Sequence, residues 1–540
     1  MNAWVQVYSP FGNILVSALA AAIPLFVLFY LLAIRKMAGY KAAAVCTLCA
    51  LLLAIFAWGM PVKLAFSAGV MGICFGLFPI IWVVITAVWI YNMTVESNEF
   101  NKIRHSLASL TDDRRLQAIF IAYAFSSFLE GASGFGTPVA ITAAMLVGLG
   151  FNPLYAAGIC LVGNSAPAAF GAIGVPVIVS ADVAGVDVNK LSGVVGEHLA
   201  ILSFLLPLWI CSIMCGFKRA LEVWPALLVS GLSFSLTMYL TARFNGPALP
   251  DIVAGLVCLV AMIALLKVWK PKTIWRFPGE EAASSTGTTV HYSVGEIIRA
   301  WSPYLIVTIM VFICGHGGYK ALVSGTVGLY EWPALHNLVA KMPPIVTDQS
   351  LYAAVFKLDI FSAAGTAIFV AGLISSCIMP GYGIGKAILC LGRTCRQLRF
   401  SILTICLVLA LAYVMNYSGM SSTLGLAFTH TGMFFPFFAP IIGWVGVFLT
   451  GSDTSANALF SGLQHTTATA LDVDPYLAVG VNSSGGVTGK MISPQSISIA
   501  TAATDQPGKE GEMFRFALKH SIVMLFIICV YTFAQAYMAG

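Results

Sequence analysis

Several segments of this chain are apolar over lengths close to the thickness of a lipid bilayer. Clear examples are residues 14–34, 201–217, 252–266, 402–414 and 521–538. A helix of about 20 apolar residues crosses the hydrocarbon core, where only helices and closed barrels satisfy all their backbone hydrogen bonds. The alternation of apolar and polar residues typical of barrel strands is absent. The sequence therefore predicts an all-α polytopic membrane protein with about 12–14 transmembrane helices.

The composition supports this class. The chain is 59% hydrophobic and 9% charged, whereas an ordinary soluble domain is about 25% charged. Membrane lipid is therefore an expected partner. The net charge of +6 is attributed to basic loops that orient the helices, so no nucleic-acid partner is predicted. The 13 cysteines are scattered through apolar segments and are interpreted as small buried hydrophobic residues, so neither a metal site nor another cofactor is predicted.

Basic clusters are expected to mark the cytoplasmic loops. They fall within residues 35–41, 102–115, 218–219, 267–276, 393–399 and 509–519. Counting crossings between them predicts that both termini face outward. The chain is interpreted as one membrane transporter domain, residues 1–540, with an N-terminal half (1–266), a polar cytoplasmic linker (267–296) and a C-terminal half (297–540). The polar stretch 317–359 is expected on the side opposite the linker and is not interpreted as a folded soluble domain.

The two halves contain an internal repeat. Phe-Leu-Glu-Gly at 128–131 matches Phe-Leu-Thr-Gly at 448–451, Pro153 matches Pro475, and Asn164-Ser165 matches Asn482-Ser483. The repeat cores are placed at 116–195 and 436–508. Because the first core begins at a cytoplasmic loop and the second ends at one, an odd number of crossings in each predicts that the repeats are inverted.

A polar, glycine-rich segment interrupts the first repeat core at residues 126–136. A helix broken at membrane depth leaves backbone groups unpaired, and its free amide end favours an anion. Ser133, Gly134 and Thr137 are therefore candidate substrate-binding residues. Glu130 costs about 2.5–3.5 kcal/mol if charged at the bilayer centre, so it is interpreted either as a proton-coupling residue or as a structural cap or contact.

The second repeat core has a matching interruption at residues 451–457. Ser452, Asp453 and Thr454 have the composition of a helix N-cap. Capping alone accounts for Asp453, yet its position opposite Glu130 makes it equally a proton-coupling candidate. Ser452 and Thr454 are candidate substrate-binding residues.

The Asn-Ser pairs of the repeat supply neutral hydrogen-bonding groups. These can bind a hydroxy acid, or a cation through their oxygens, without burying a charge. The candidate substrate-binding residues of this kind are Asn164, Ser165, Asn482, Ser483 and Ser484.

Lys490, close to the second Asn-Ser pair, can pair with a substrate carboxylate or with an acidic side chain. The alternative for Lys490 is that its ammonium extends to the cytoplasmic surface. His430 and His465 are considered as proton relays, with an interfacial position as the alternative.

Three long motifs resemble the bacterial L-lactate permease family, which includes the glycolate permeases. They lie at residues 128–142, 446–460 and 485–496. The resemblance implies symport of L-lactate, D-lactate or glycolate with a proton across the bacterial inner membrane, and inverted repeats with re-entrant or broken helices. A sodium-coupled carboxylate symporter of the same fold is the alternative. No nucleotide-binding or nucleophile motif favours an ATP-driven pump or a membrane enzyme.

Overall fold

The computed structural model describes residues 3–35, 37–134, 136–277, 292–346, 348–506 and 509–538. The described N-terminal half is helical almost throughout. Its helices are α1 (Ile14–Phe29), α2 (Gly39–Phe56), α3 (Val62–Phe75), α4 (Trp82–Glu96), α5 (Glu99–Ala108), α6 (Arg114–Ala118), α7 (Ser126–Ala132), α8 (Thr137–Gly148), α9 (Pro153–Gly163), α10 (Gly171–Ala184), α11 (Val188–Cys215), α12 (Phe217–Ala220), α13 (Trp224–Asn245) and α14 (Pro250–Val268). A π-helical segment, Ile119–Phe125, joins α6 to α7 without a break.

The C-terminal half continues in the same way. Its helices are α15 (Val294–Gly315), α16 (Gly317–Val323), α17 (Ala364–Ile378), α18 (Gly383–Ser418), α19 (Met420–Phe428), α20 (Phe435–Thr450), α21 (Asp453–Ala470), α22 (Pro475–Lys490), α23 (Pro494–Ala503) and α24 (Glu510–Met538). Within the described residues, 11 helical segments are long and apolar enough to cross a membrane, and three shorter apolar helices accompany them. The prediction of an all-α polytopic membrane protein is confirmed, whereas the inversion of the repeats stays a prediction.

In the part of the chain that the structure describes, five short strands lie on one side of the helices. Their bounds are β1 (Trp4–Val5), β2 (Gly328–Glu331), β3 (Val339–Lys341), β4 (Ser350–Leu351) and β5 (Val355–Leu358). The strand β3 pairs in parallel with β1 and antiparallel with β4, while β2 and β5 form an antiparallel pair. The N-terminus and the stretch 317–359 therefore share one side of the molecule, called the sheet side below. Which side faces outward stays a prediction.

Glycines bring the backbones of α20 and α22 into direct contact. A Cβ atom on Gly443 would lie 1.9 Å from the carbonyl oxygen of Asn482, and one on Gly485 would lie 2.1 Å from that of Pro440. Such distances are far below van der Waals contact, so only glycine fits. In lipid, the hydrophobic effect does not drive helices together. Van der Waals contacts between closely packed backbones at small residues stabilise their association instead.

Helix breaks occur where both repeat cores were predicted to be interrupted. The chain leaves helical geometry between α7 and α8, where Gly134 and Gly136 have φ of 60° and 80°. It does so again between α20 and α21, where Gly451 has φ of 71°. A third break lies inside α10, where Ala172, Ile173 and Gly174 all have positive φ. Positive φ is unfavourable for a β-branched residue such as Ile173, so the surrounding packing must hold this break in place.

The described start of the linker is anchored to the helices. Arg115 is fully buried and lies 2.7 Å from Asp113 and 2.9 Å from Glu222. It also donates a hydrogen bond of 2.8 Å to the carbonyl of Thr273, and the Trp275 amide donates to Asp113. This part of the linker is thus a docked segment. The middle of the predicted linker, 278–291, lies outside the described residues.

Candidate functional site

A buried ion pair connects the two repeat cores. Glu130 lies near the end of α7 and is 2% exposed, and Lys490 is the last residue of α22 and is 12% exposed. The Lys490 Nζ atom lies 2.6 Å from Oε1 of Glu130. A contact this short between opposite charges, away from water, is a strong charge-assisted hydrogen bond. Lys490 therefore points to Glu130 in this structure, which places its ammonium at the break of the first core.

Both carboxylate oxygens of Glu130 have partners. Oε1 accepts from Lys490, and Oε2 accepts from Asn164 Nδ2 at 3.1 Å. The Asn164 amide also donates to Ser126 Oγ at 3.3 Å. Gly171 provides the space for this carboxylate, because a Cβ atom there would lie 2.5 Å from Oε1. The Glu130 side chain is thus held in one orientation by α7, α9, α22 and the start of α10.

The helix that follows the first break begins without a side-chain cap. Gly136 occupies the N-cap position of α8 and has no side chain to accept from the first amides. The first amides of a helix lack partners within the helix, although Pro138 in the first turn of α8 has no N–H and supplies none. Together with the partial positive charge of a helix start, the remaining amides favour an anion. The start of α8 therefore presents positive potential at the break that follows Glu130.

The second break holds its acidic residue differently. Ser452 is the N-cap of α21, since its Oγ accepts from the Ser455 amide at 3.3 Å. The Asp453 side chain therefore does not cap the helix, and this residue is 4% exposed. Its Oδ2 accepts from Ser483 Oγ at 2.8 Å and from Asn457 Nδ2 at 3.4 Å. Its Oδ1 has no hydrogen-bond partner among the described residues.

Neutral side chains extend this network across α21 and α22. Asn457 Nδ2 lies 2.6 Å from Ser483 Oγ, and its Oδ1 accepts from Asn482 Nδ2 at 2.8 Å. Gln464 Nε2 donates to Asn482 Oδ1 at 3.2 Å. Asn457 also donates to the carbonyl of Pro176 at 3.0 Å, so the network reaches the half of α10 that follows its break. The second core thus holds its carboxylate through neutral amides and hydroxyls, and Lys490 interacts with Asp453 only electrostatically.

A third carboxylate lies next to the first break. Asp251, in the first turn of α14, is 1% exposed, and neither of its carboxylate oxygens has a hydrogen-bond partner among the described residues. It packs against the residue after Glu130, since a Cβ atom on Gly131 would lie 2.7 Å from the Cβ atom of Asp251. It also interacts electrostatically with Glu130 and Lys490.

A cavity of about 1040 Å³ opens on the sheet side. Its rim includes Leu329 of β2 and Lys357 of β5, and it extends down to Ile178 of α10. The turn 247–249, directly before α14, also lines it. We call this space the sheet-side cavity. It ends within two residues of Asp251 along the chain.

Comparison with known families decides the class of protein. A family described as L-lactate permease matches residues 17–539. The chain belongs to the L-lactate permease family. It is therefore a transporter and not an enzyme, and the family together with the apolar helices makes it a multi-pass membrane protein.

Individual relatives of this permease match over nearly their whole length. The glycolate permease GlcA of Escherichia coli (strain K12) is 48% identical over 99% of both chains. The L-lactate permease of the same strain is 47% identical over 99% of both, and that of Bacillus subtilis (strain 168) is 46% identical over 98% of both. Among solved structures, the YdaH transporter of Alcanivorax borkumensis matches with a TM-score of 0.42 at 15% identity over 85% of each chain. That structural likeness is too low to support a conclusion.

The structure brings only part of the predicted site of this permease together. Glu130, Asn164 and Lys490 meet at the first break, and Asp453, Asn482 and Ser483 meet at the second. The hydroxyls of three predicted residues instead donate to carbonyls of their own helical segments; they are Ser133, Ser165 and Ser484. Thr454 is half-buried in the first turn of α21. Gly134 packs on Ala172 at the break of α10, and the side chain of Thr137 lies outside the described residues.

The sequence analysis missed three polar residues of these networks. Asn457 follows Asp453 by one helical turn, and Gln464 lies two turns further along α21, so their spacing on one helix face could have indicated them. Asp251 had a weaker signal, a lone carboxylate after a proline at the start of an apolar helix. The two considered histidines lie elsewhere, with His430 exposed and His465 near Lys341 of β3.

Proposed function

We propose that this permease takes up small 2-hydroxymonocarboxylates together with a proton across the bacterial inner membrane. The substrates in this proposal are L-lactate, D-lactate and glycolate. The observation that carries the proposal is the buried ion pair between Glu130 and Lys490, at 2.6 Å, beside the uncapped start of α8. The names of the relatives, L-lactate permease and glycolate permease, support the substrate class.

The substrate carboxylate is proposed to compete with Glu130 for the ammonium of Lys490. The uncapped amides of α8 add attraction for the anion. We assign the 2-hydroxyl group of the substrate to amide and hydroxyl groups of the two cores, namely Asn164 of the first core and Asn482, Ser483 and Ser484 of the second. The remaining predicted contacts, Ser133, Gly134, Thr137, Ser165, Ser452 and Thr454, complete the proposed substrate-binding set at the two breaks.

Displacement of Glu130 from Lys490 explains coupling to a proton. A buried carboxylate that loses its ionic partner is destabilised by about 3–5 kcal/mol. Protonation of Glu130 removes this cost. The loaded site then contains a neutral acid, one ammonium and one substrate anion, so its charge is balanced when it reorients in the membrane. Anion binding and proton uptake become favourable together, which is the condition for symport.

Asp453 is the second proposed proton-coupling residue. Its Oδ2 atom accepts hydrogen bonds from Ser483 and Asn457. Neither of these hydrogen bonds involves Lys490. We therefore place the primary coupling on Glu130 and give Asp453 a supporting role in the second core.

Uptake by purified protein in proteoliposomes tests this function. An inside-alkaline pH gradient is expected to drive accumulation of labelled L-lactate, with alkalinisation of the external medium. Unlabelled D-lactate and glycolate are expected to compete, and a protonophore to abolish accumulation. Accumulation that requires sodium and survives the protonophore would instead support the sodium-coupled alternative. Failure of lactate and glycolate to be taken up at all would refute the proposed substrate class.

A further inference from the structure

The three carboxylates near the helix breaks differ in how many partners they have. Both oxygens of Glu130 accept hydrogen bonds, one oxygen of Asp453 does, and neither oxygen of Asp251 does among the described residues. All three side chains are at most 4% exposed. An ionised carboxylate in such surroundings needs a cation or donors, and without them its neutral form is favoured. Of the three carboxylates, Asp251 thus has the fewest groups to support a charge among the described residues.

Asp251 also lies near two features of the structure, the lining of the sheet-side cavity and the break that carries Glu130. On one side, the sheet-side cavity is lined by Pro247, Ala248 and Leu249, which lead directly into α14. On the other side, Asp251 packs against Gly131, the residue that follows Glu130. The broken part of α10 closes this junction, because Gly174 lies against the carbonyl of Pro247.

The charged and titratable groups that face Asp251 come from three elements. They are Glu130 of α7, Lys490 of α22 and Tyr123 of the π-helical segment. Glu130 presents a negative charge to Asp251, and Lys490 presents a positive one. The charge states of the two carboxyl groups are therefore coupled. A proton exchanged between them leaves their joint charge unchanged.

We propose that Asp251 is a proton-relay residue that carries protons from the sheet-side cavity to Glu130. This inference rests on the proposed function. In the relay step the substrate takes over Lys490, and the released carboxylate of Glu130 moves within hydrogen-bond distance of Asp251. The O–H bond of the Asp251 carboxyl group then breaks, and the proton passes to Glu130. The newly ionised Asp251 admits water from the cavity and takes a proton from hydronium, which restores the neutral acid. No other reactant is needed.

A structural role accounts for only part of this side chain, since a carboxylate in the first turn of α14 interacts favourably with the helix dipole. Because it has no hydrogen-bond partner among the described residues, burying it is costly compared with an apolar or amide group of the same size. Asp251→Asn keeps the shape and removes only the titrating proton. We therefore expect the folded protein to tolerate this substitution, with thermal stability equal to or above that of the unmodified protein.

Two transport modes in proteoliposomes test the relay. Exchange of internal for external labelled L-lactate needs no net proton movement, whereas uptake driven by a pH gradient does. Asp251→Asn is expected to retain exchange within about twofold and to slow gradient-driven uptake at neutral external pH at least about tenfold, a change of roughly 1.4 kcal/mol in the barrier. The rate should recover as external pH falls, because hydronium then reaches Glu130 more often.

Asp182→Asn is the matched control. Asp182 also lines the sheet-side cavity, and its carboxylate accepts a hydrogen bond from Tyr413. We expect its gradient-driven uptake to keep the pH profile of the unmodified protein. Gradient-driven uptake by Asp251→Asn within twofold of the unmodified rate across the pH range would overturn the relay, as would equal loss of both transport modes. Absence of gradient-driven uptake in the unmodified protein would refute the proposed function instead.

A measurement on the unmodified protein covers the case in which Asp251→Asn does not fold. Hydrophobic carbodiimides react with protonated carboxyl groups in apolar surroundings. Mass spectrometry after treatment with dicyclohexylcarbodiimide is expected to find the adduct on Asp251, in larger yield than on Glu130, which is paired with Lys490. Labelling of Glu130 without labelling of Asp251 would show that Asp251 is ionised or closed to the cavity, and would overturn the proposal.

Discussion

The break after Glu130 and the break before Asp453 present their carboxylates in opposite ways. Glu130 is neutralised by a cation from the other repeat core, at 2.6 Å. Asp453 is held by neutral groups of its own core, Ser483 and Asn457. The backbone plan is similar, since a helix stops, glycine turns the chain, and a second helix starts. Lys490 acts on Asp453 only electrostatically and makes its direct contact with Glu130. The difference teaches that the first break pairs opposite charges directly, whereas the second holds its carboxylate through neutral hydrogen-bonding groups.

The largest effect is expected when the cation that links the cores is removed. Lys490→Gln leaves Glu130 buried without its ionic partner, which costs about 3–5 kcal/mol of stability, and removes the proposed anchor of the substrate. We expect transport to fall at least about 100-fold, since each 1.36 kcal/mol is a factor of ten. The measurements are thermal unfolding in detergent and lactate uptake in proteoliposomes.

The double variant Glu130→Gln/Lys490→Gln separates the two contributions. It is expected to regain most of the lost stability, because no buried charge remains unpaired, and to stay inactive in transport. Lys509→Gln, at an exposed residue, is the control and should change neither quantity. Full lactate uptake by the double variant would remove the ion pair from the mechanism.

Two glycines give a direct comparison between the carboxylates. A Cβ atom at Gly171 would lie 2.5 Å from Oε1 of Glu130, and one at Gly486 would lie 2.6 Å from Oδ1 of Asp453. Gly171→Ala therefore disturbs the Glu130 oxygen that accepts a hydrogen bond from Lys490. Gly486→Ala disturbs the Asp453 oxygen that has no hydrogen-bond partner among the described residues. We expect Gly171→Ala to lower lactate uptake by the larger factor. Overpacking in this variant is expected to cost about 1–3 kcal/mol of stability. Equal losses of uptake in the two variants would contradict the assigned difference.

The neutral network of the second core is expected to contribute stability. Asn457→Ala removes the amide that joins Asp453, Ser483 and Asn482. Leaving these buried groups unpaired costs about 1–3 kcal/mol, which thermal unfolding will detect. The exposed amide variant Asn101→Ala is the control, with a change expected within about 0.5 kcal/mol. Unchanged stability in Asn457→Ala would show that water replaces the amide and that the network is not tightly held.

The smallest effect is expected for Asp453→Asn. The new amide oxygen can still accept from Ser483, so the network keeps its geometry. We expect lactate uptake within about fivefold of the unmodified protein, about 1 kcal/mol, with gradient-driven accumulation lowered by a similar factor but still present, in keeping with a supporting role. Loss of accumulation with exchange intact would move the primary coupling from Glu130 to Asp453.

Much of this architecture could be predicted from local sequence. Apolar runs of bilayer length predicted the helices, and the glycine-rich segments at 126–136 and 451–457 predicted the breaks, because both signals are contained in contiguous residues. Lys490 was recognised as a cation in an apolar setting, but its partner was left open between substrate and acid. The pairing with Glu130 joins residues 360 positions apart, and no local pattern encodes such a distance.

Other features depended on contacts that sequence spacing does not reveal. The short strands were not predicted, since two to four residues carry too weak an alternation to recognise. Arg115 was interpreted as a loop residue, yet it is fully buried because Asp113 and Glu222 neutralise it. Asp251 lies where α14 packs against α7, and it has no hydrogen-bond partner among the described residues. Sequence spacing does not reveal this contact between two helices.

The ratio of protons to lactate carried by Glu130→Gln tests the central claim most directly. In proteoliposomes, pH-sensitive dye and labelled L-lactate report both fluxes in one experiment. We expect Glu130→Gln to bind and exchange lactate, because Lys490 stays available, and to move it without protons and without accumulation against its gradient. The unmodified protein should move both in a fixed ratio. Proton-coupled accumulation by Glu130→Gln at the unmodified ratio would contradict the account.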